Sequence, residues 1–405
     1  MHTEVTCPAG TVVGVTRDGA RWFESVPYSR IVGAFDDPLR VEQGLLIDAT
    51  RPQPGTASLS VTTPDGARPG DDLPVVVWIH GGRYEVGDHT ETFMHPEAFA
   101  RAGVVLVRVG YRLKFPGFLP LHTDAPGHFR GVADCAEALA WLQRNVESFG
   151  GDPTNVTVVG QSAGAGIALW LARRDHYKGE FRRALALSPA FPRRPFSARK
   201  WAARAALSTP LTRDALNALY RDNPQKMERG YQRFRTQYIT DCAVGPHPFD
   251  GTELAQVDLV VTSTRDEFIN HGAALDRAGL GGAFVRSAGR RMGLKKGTAG
   301  EYVAAVKAAG RPVAGQFNSD ALIRRWVDEA CEHAPGNVWQ AEFPAGTHSS
   351  ELAALFRPGT ELNDWLLGFA RGGEVGWEVY RRRRQAWRVG EGETHDPLGY
   401  LRGCF

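Results

Sequence analysis

The stretch that decides the fold is FGGDPTNVTVVGQSAGAG, Phe149 to Gly166. Asn155–Val159 reads as an ordinary buried strand, and 163–173 reads as an apolar helix. Between them stands Gly160-Gln161-Ser162-Ala163-Gly164, a G-x-S-x-G pentapeptide. Strand, tight turn and helix in that order are what a nucleophile elbow requires. Glycine is needed on both sides of the turn, because a β-carbon at either flank would clash with the neighbouring strand or helix. Ser162 is thereby forced to the tip. The amide of Ala163 falls at the helix N-terminus, where it can bind a developing oxyanion.

Working outward, strands alternate with helices. Leu73–Ile79 (LPVVVWI) is a buried strand ending in His80-Gly81-Gly82, and 103–109 is a second, near-continuously apolar as central strands are. In 133–146 Cys135, Ala138, Leu139 and Leu142 recur at helical spacing and form an inner face. Further strands are expected at 184–187, 259–262 and 338–343, with short antiparallel edge strands at 11–15 and 58–62. The pattern predicts an α/β chain with a mainly parallel sheet covered on both faces. Two mostly helical stretches, 189–243 and 268–309, read as insertions forming a lid within one catalytic domain spanning 1–405.

Composition excludes several function classes. Apolar residues make up 42% and charged residues 23% of 405 residues, as in a soluble globular protein. With 48 basic and 45 acidic residues the net charge is +3, which gives no reason to expect nucleic acid or an acidic membrane as partner. No apolar run has transmembrane length, and the N-terminus lacks the pattern of a secretory signal. The five cysteines are scattered, with neither a disulfide framework nor metal-ligand spacing, so a cytoplasmic, reducing compartment and no metal or cofactor are expected. Nothing in the sequence addresses oligomeric state.

A serine hydroxyl needs a base to take its proton, and the base needs a third group to orient it. In the α/β-hydrolase fold these follow in the order serine, acid, histidine. Asp266 and Glu267 both follow the strand 259–262, and His348 sits in a glycine-containing loop after 338–343. His247 and His271 are less well placed, and His80 reads as a structural hydrogen-bonding residue. His80-Gly81-Gly82-Arg83 occupies the position of an oxyanion loop, so the amides of Gly82, Arg83 and Ala163 form the candidate hole.

Taken together these segments resemble the type-B carboxylesterase family, which includes bacterial para-nitrobenzyl esterases and cholinesterases. The likeness runs from GTVVGVTRDGARWFESVPYSR through VVVWIHGG and GYRLKFPGFL to FGGDPTNVTVVGQSAG, its most specific segment, and on to NDWLLGFARGGE. STRDEF is similar to the family's K/R-D-E-G and implies that Glu267 is the acid; GTHSSELAALF is similar to H-x-x-E-L and implies that His348 is the base. Ser188, in ALSPAF, matches a serine that supports the acid in many members. The chain departs from the pattern at Arg83, where a third glycine is usual, at Phe268 and Gly110, and at Ser58, where the family's first disulfide cysteine stands. Arg83 is expected either to turn into solvent or to recognise an anionic or carbonyl-rich part of the substrate. The intervals from Ser162 to Glu267 and on to His348 are both compressed, which implies a trimmed lid. The resemblance implies hydrolysis of small-molecule carboxylic esters by Ser162, His348 and Glu267. Acyl transfer or cyclisation on the same triad, cleavage of amides or carbamates, and a non-catalytic binding role are the alternatives. Six aromatic residues of the first insertion, Phe191, Phe196, Trp201, Tyr231, Phe234 and Tyr238, are either its own core or the wall of an apolar pocket.

Overall fold

The computed structural model describes residues 1–41 and 44–405. The chain opens with β1 (His2–Cys7), β2 (Gly10–Arg17) and β3 (Ala20–Pro27), then the short β4 (Ser29–Arg30), β5 (Leu39–Arg40) and β6 (Leu45–Asp48). The central strands follow: β7 (Ser58–Pro64), β8 (Leu73–Ile79), β9 (Val105–Val109), β10 (Gly151–Gln161), β11 (Arg183–Leu187), β12 (Asp258–Thr264) and β13 (Val338–Phe343). The chain ends with the hairpin β14 (Gln385–Arg388) and β15 (Gly392–His395). Among the described residues they form a 13-stranded sheet with the spatial order β1-β2-β3-β7-β9-β8-β10-β11-β12-β13-β14-β15; β6 pairs with β2, and β4 and β5 form a separate pair. The ladders from β9 through β14 are parallel; β1-β2-β3-β7-β9 and the β14–β15 pair are antiparallel, and the side pair β2–β6 is parallel.

Burial explains why the parallel strands read as unbroken apolar runs. All of β9 is buried, as are the last five residues of β8 and all but the first of β12. Side chains of alternate residues feed two cores. Val75, Val77, Val158 and Val261 join the larger one with the helices Arg130–Asn145 and Ala163–Leu171. Val76, Trp78, Val159, Leu185 and Val260 join a second, smaller one under the helices Leu352–Phe356 and Glu361–Ala370. The inner face expected at Cys135, Ala138, Leu139 and Leu142 is at most 2% exposed. All nine residues of the helix Ala163–Leu171 are buried, because it crosses the sheet centre with neighbours on every side.

Several boundaries differ from the sequence reading. The strand expected from residue 103 begins at Val105, since Gly103 sits at φ 72° in the turn that ends the preceding helix. β1, β3, β14 and β15 were not individually expected; they lie at or near the antiparallel ends, where alternation is broken by buried polar residues such as Glu24 and Ser25. Helices continue beyond residue 309 through Val313–Ser319, a π-helical turn at Asp320–Arg324 and Arg325–His333. The five cysteines are free and buried. Among the described residues no helix is long and apolar enough to cross a membrane.

Candidate active site

The parallel strands deliver their C-terminal ends to one edge of the sheet, which is where open α/β sheets place ligands. Ser162 follows β10, Glu267 follows β12, His348 follows β13 and His80-Gly81-Gly82 follows β8. The turn at Ser162 is tight: its backbone sits at φ 54°, ψ −115°, a region costly for a residue with a side chain. Both flanking glycines are sterically required. A β-carbon on Gly160 would lie 2.3 Å from the Gly164 carbonyl oxygen, and one on Gly164 would lie 2.0 Å from that of Ile79. The Ser162 amide donates to Leu187 O at 2.8 Å, tying the strained turn to the neighbouring strand.

Glu267 is 1% exposed and is met by three donors. His348 Nδ1 lies 2.5 Å from Oε2, while the Ser188 hydroxyl (2.6 Å) and the Thr264 amide (2.7 Å) both donate to Oε1. The His348 amide also donates to Glu267 O at 3.0 Å. With its Nδ1 proton directed at the carboxylate, the ring presents the Nε2 lone pair outward. Burial works against the charged imidazolium, but the Glu267 charge and hydrogen bond, with a further contribution from Glu351, outweigh it and raise the pKa of His348 above 6.5. Asp266, the other acid that spacing allowed, pairs with Arg311 instead.

Nε2 of His348 is 3.3 Å from the Gln161 side-chain nitrogen, which also donates to Ser349 Oγ at 2.7 Å. Among the described residues no hydrogen bond joins Ser162 Oγ to His348. Gln161 therefore competes for the lone pair that Ser162 would use. Resting sites often hold such bonds open, and they tighten when substrate binds.

The amides of Gly82 and Arg83 donate to no protein acceptor among the described residues. The loop is set by strained backbone: Gly82, Arg83 and Tyr84 all have positive φ, and a β-carbon on Gly82 would strike the Val86 carbonyl at 2.1 Å. Gly81 packs against the elbow, its absent β-carbon position 3.4 Å from Ser162 Cβ. His80 is fully buried, stacks on Tyr111 and donates from Nδ1 to Gly81 O; burial pushes its pKa down to about 4, so it stays neutral. Arg83 has a third destination that neither expectation included. Its Nη2 donates to the carbonyls of Asp241 (2.7 Å), Ile239 (3.2 Å) and Tyr238 (3.3 Å).

A cleft of about 220 Å³ opens over Ser162 and His348. One wall is the segment Ile239 to Cys242, and the other is Phe268, His271, Asn318, Leu322 and Ile323. The six aromatics of the first insertion are absent from this lining. Phe191, Tyr231 and Phe234 are buried in core, and Trp201 is 70% exposed. Ile239 to Cys242, Phe268 and His271 fall in the two stretches read as lid insertions, whereas Asn318, Leu322 and Ile323 lie beyond residue 309 on helical turns that carry no motif. Glu351 was legible only as a letter of H-x-x-E-L. It is 4% exposed, and neither carboxylate oxygen has a partner.

The model of the carboxylesterase family matches residues 57–271. The para-nitrobenzyl esterase of Bacillus subtilis is 36% identical over 218 residues, 47% of this chain and 44% of that protein, so the chain spans less than half of this relative. A probable N-octanoylanthranilate hydrolase of Rhodococcus erythropolis is 29% identical over 310 residues, 66% of this chain and 67% of the relative. Among solved structures, a carboxylesterase of Geobacillus stearothermophilus superposes with a TM-score of 0.81 at 22% identity, and a PNB esterase with 0.77 at 24%, each covering 99% of both chains. That likeness shows the α/β-hydrolase fold. Since the family model covers more than half of the chain, across both the loop after β8 and the elbow, the chain belongs to the carboxylesterase family.

Proposed function

We propose that this chain is a serine hydrolase that cleaves small-molecule carboxylic esters through an acyl-enzyme. The observation that carries the reading is Glu267 bound to His348 Nδ1 at 2.5 Å, with His348 and Ser162 lining one cleft. Substrate entering the cleft draws Ser162 Oγ onto His348 Nε2, displacing the Gln161 amide. His348 takes the hydroxyl proton as Oγ attacks the ester carbonyl. Glu267 holds the tautomer and stabilises the imidazolium, and its own charge is fixed by Ser188 and Thr264. The tetrahedral oxyanion is held by the amides of Gly82, Arg83 and Ala163. His348 then protonates the departing alcohol, and a water activated by the same histidine releases the acid.

The test is turnover of para-nitrophenyl acetate. Ser162→Ala is expected to lose on the order of 10⁴-fold or more in kcat, with an unchanged far-UV spectrum. A fluorophosphonate probe should label the wild type at Ser162 and leave the variant unlabelled. Turnover within tenfold of wild type in a folded Ser162→Ala would overturn the assignment.

A further inference from the structure

Arg83 stands where the backbone favours a glycine. Its φ is 59°, in the left-handed region that a residue with a side chain adopts at a cost. The proposed oxyanion hole uses only the amide of this residue, which a glycine would supply without that strain. The side chain runs from the loop after β8 to the cleft wall at Ile239 to Cys242, where Nη2 meets the carbonyls of Tyr238, Ile239 and Asp241. Nη1 and Nε donate to no protein acceptor among the described residues, and neither is buried. One nitrogen thus holds the guanidinium beside the cleft, and its other N–H groups stay free.

The charge of this guanidinium is not balanced nearby. The acidic residue in the cleft lining is Asp241. Its carboxylate is committed to Arg199 at 2.5 Å and faces Arg193 at 3.7 Å, both nearly fully buried. With Arg83 on its carbonyl, three guanidiniums converge on a residue that carries one negative charge. The insertion that supplies this wall repeats the bias at longer range. Residues 189–243 hold 11 arginines and lysines against 4 acidic residues, in a chain whose net charge is only +3. Most of these basic residues are exposed, among them Arg194, Lys200, Arg204, Arg229 and Arg233. A cleft beneath such a field attracts anions, and its apolar walls focus the field lines.

We infer that the substrates of this cleft are esters whose acid or alcohol part carries a carboxylate, and that Arg83 binds this carboxylate through the N–H groups its wall contacts leave free. The inference names the substrate class of the proposed esterase and rests on that reading. A guanidinium already fixed by three carbonyls loses little freedom when an anion binds. A hydrogen bond from it to a carboxylate is stronger than one between neutral groups. The uncharged part of the ester lies against Phe268, Leu322 and Ile323.

The test compares 4-acetoxybenzoate with its neutral isostere 4-acetoxybenzamide at pH 8, where the acid is ionised. The quantity read is the ratio of their kcat/KM values, anion over amide, because its change between variants cancels their intrinsic reactivity. Arg83→Ala is expected to lower the ratio about tenfold or more, whereas loss of the wall contacts alone would slow both substrates equally. Arg83→Lys keeps the charge and should hold the ratio about threefold or more above that of Arg83→Ala. In the wild type the ratio should fall severalfold as NaCl rises from about 0.02 to 0.5 M. Isothermal titration of Ser162→Ala decides the matter without catalysis and without a change at Arg83. It should bind 4-acetoxybenzoate about tenfold or more tighter than the amide, and a folded Ser162→Ala/Arg83→Ala should bind the two alike. A wild type that turns over neither these esters nor para-nitrophenyl acetate would sink the esterase reading, and the titration would still judge the carboxylate site. A ratio unchanged in folded Arg83→Ala, or equal binding of the two compounds by Ser162→Ala, would overturn the inference.

Discussion

The residue that most deserves a titration is Glu351, because its carboxylate is buried beside the pair it influences. Burial first, then the charge of Glu267, pushes its pKa up to about 7. Ionised, it adds to the field that raises His348. If His348 is the base, it must be neutral in the free enzyme, so kcat/KM should fall as pH drops through a value above 6.5. Glu351→Gln removes one negative charge near the imidazole, which lowers the pKa of His348. The acid limb of the kcat/KM profile is therefore expected to move to lower pH. Stability moves with the opposite limb. A carboxyl whose folded pKa is raised from 4.5 to about 7 contributes fully below the unfolded value, and that contribution is lost as pH rises through 7. The wild type should thus lose stability relative to Glu351→Gln between pH 5 and pH 8, on the order of 3 kcal/mol. Thermal melts at both pH values check this. A difference that stays flat with pH would show that Glu351 does not ionise in that range.

At the scale of elements, the elbow and the glycine loop after β8 were legible because steric rules leave few residues able to form them: Gly160, Gly164 and Gly82 each sit where a β-carbon would meet backbone within 2.3 Å. The choice between Asp266 and Glu267 was not legible from spacing. Adjacent residues in a turn after a strand point in different directions; the likeness of STRDEF to K/R-D-E-G picked out Glu267, and in the fold Glu267 meets His348 while Asp266 meets Arg311. The destination of Arg83 was equally hidden, since its acceptors lie 155 to 158 positions away. That contact joins the loop offering the amides of Gly82 and Arg83 to the segment that walls the cleft. The same segment is fastened from behind by Asp241, which pairs with Arg199 and Arg193 in a buried cluster. Arg83→Ala removes the front attachment alone. The expected result is faster amide hydrogen exchange across residues 238–242 and a drop in kcat/KM of about tenfold, from the loss of roughly 1–2 kcal/mol of carbonyl hydrogen bonds to a charged donor. Arg83→Lys should recover only part of the loss: all three bonds come from the single Nη2, and a lysine Nζ lies one bond short of that position. Unaltered exchange in 238–242 would mean that Asp241 and its arginines hold the wall unaided.

For the molecule as a whole, the centre of the sheet was readable from sequence because β8, β9 and β11 are buried on both faces and carry that burial as apolar runs, whereas β14, only half-buried, carries none. The cleft walls were not, because they come from two helical stretches whose apolar residues mostly serve their own packing. Phe191, Tyr231 and Phe234 illustrate this: they are fully or almost fully buried, and the cleft takes instead Ile239, Phe268, Leu322 and Ile323. The resulting cavity sets a limit on substrate size. On the proposed reading about 220 Å³ must hold the acyl group and part of the alcohol, less than the roughly 300 Å³ at which ligand pockets usually begin. Short acyl chains fill it and gain about 0.8 kcal/mol for each methylene buried. Once the space between Ile239 and Ile323 is full, further methylenes must either stay in water or push apart walls held by Arg83 and Asp241. Across para-nitrophenyl esters, kcat/KM is therefore expected to rise from acetate to butyrate by roughly fourfold per methylene and to fall again by octanoate. Enlarging the cleft with Ile323→Ala should move the optimum toward longer chains, at a stability cost of about 2–5 kcal/mol for a truncated core side chain. An optimum that stays at butyrate in a folded Ile323→Ala would place the limit elsewhere, at the segment Ile239 to Cys242, and Ile239→Ala is then the variant that should shift it.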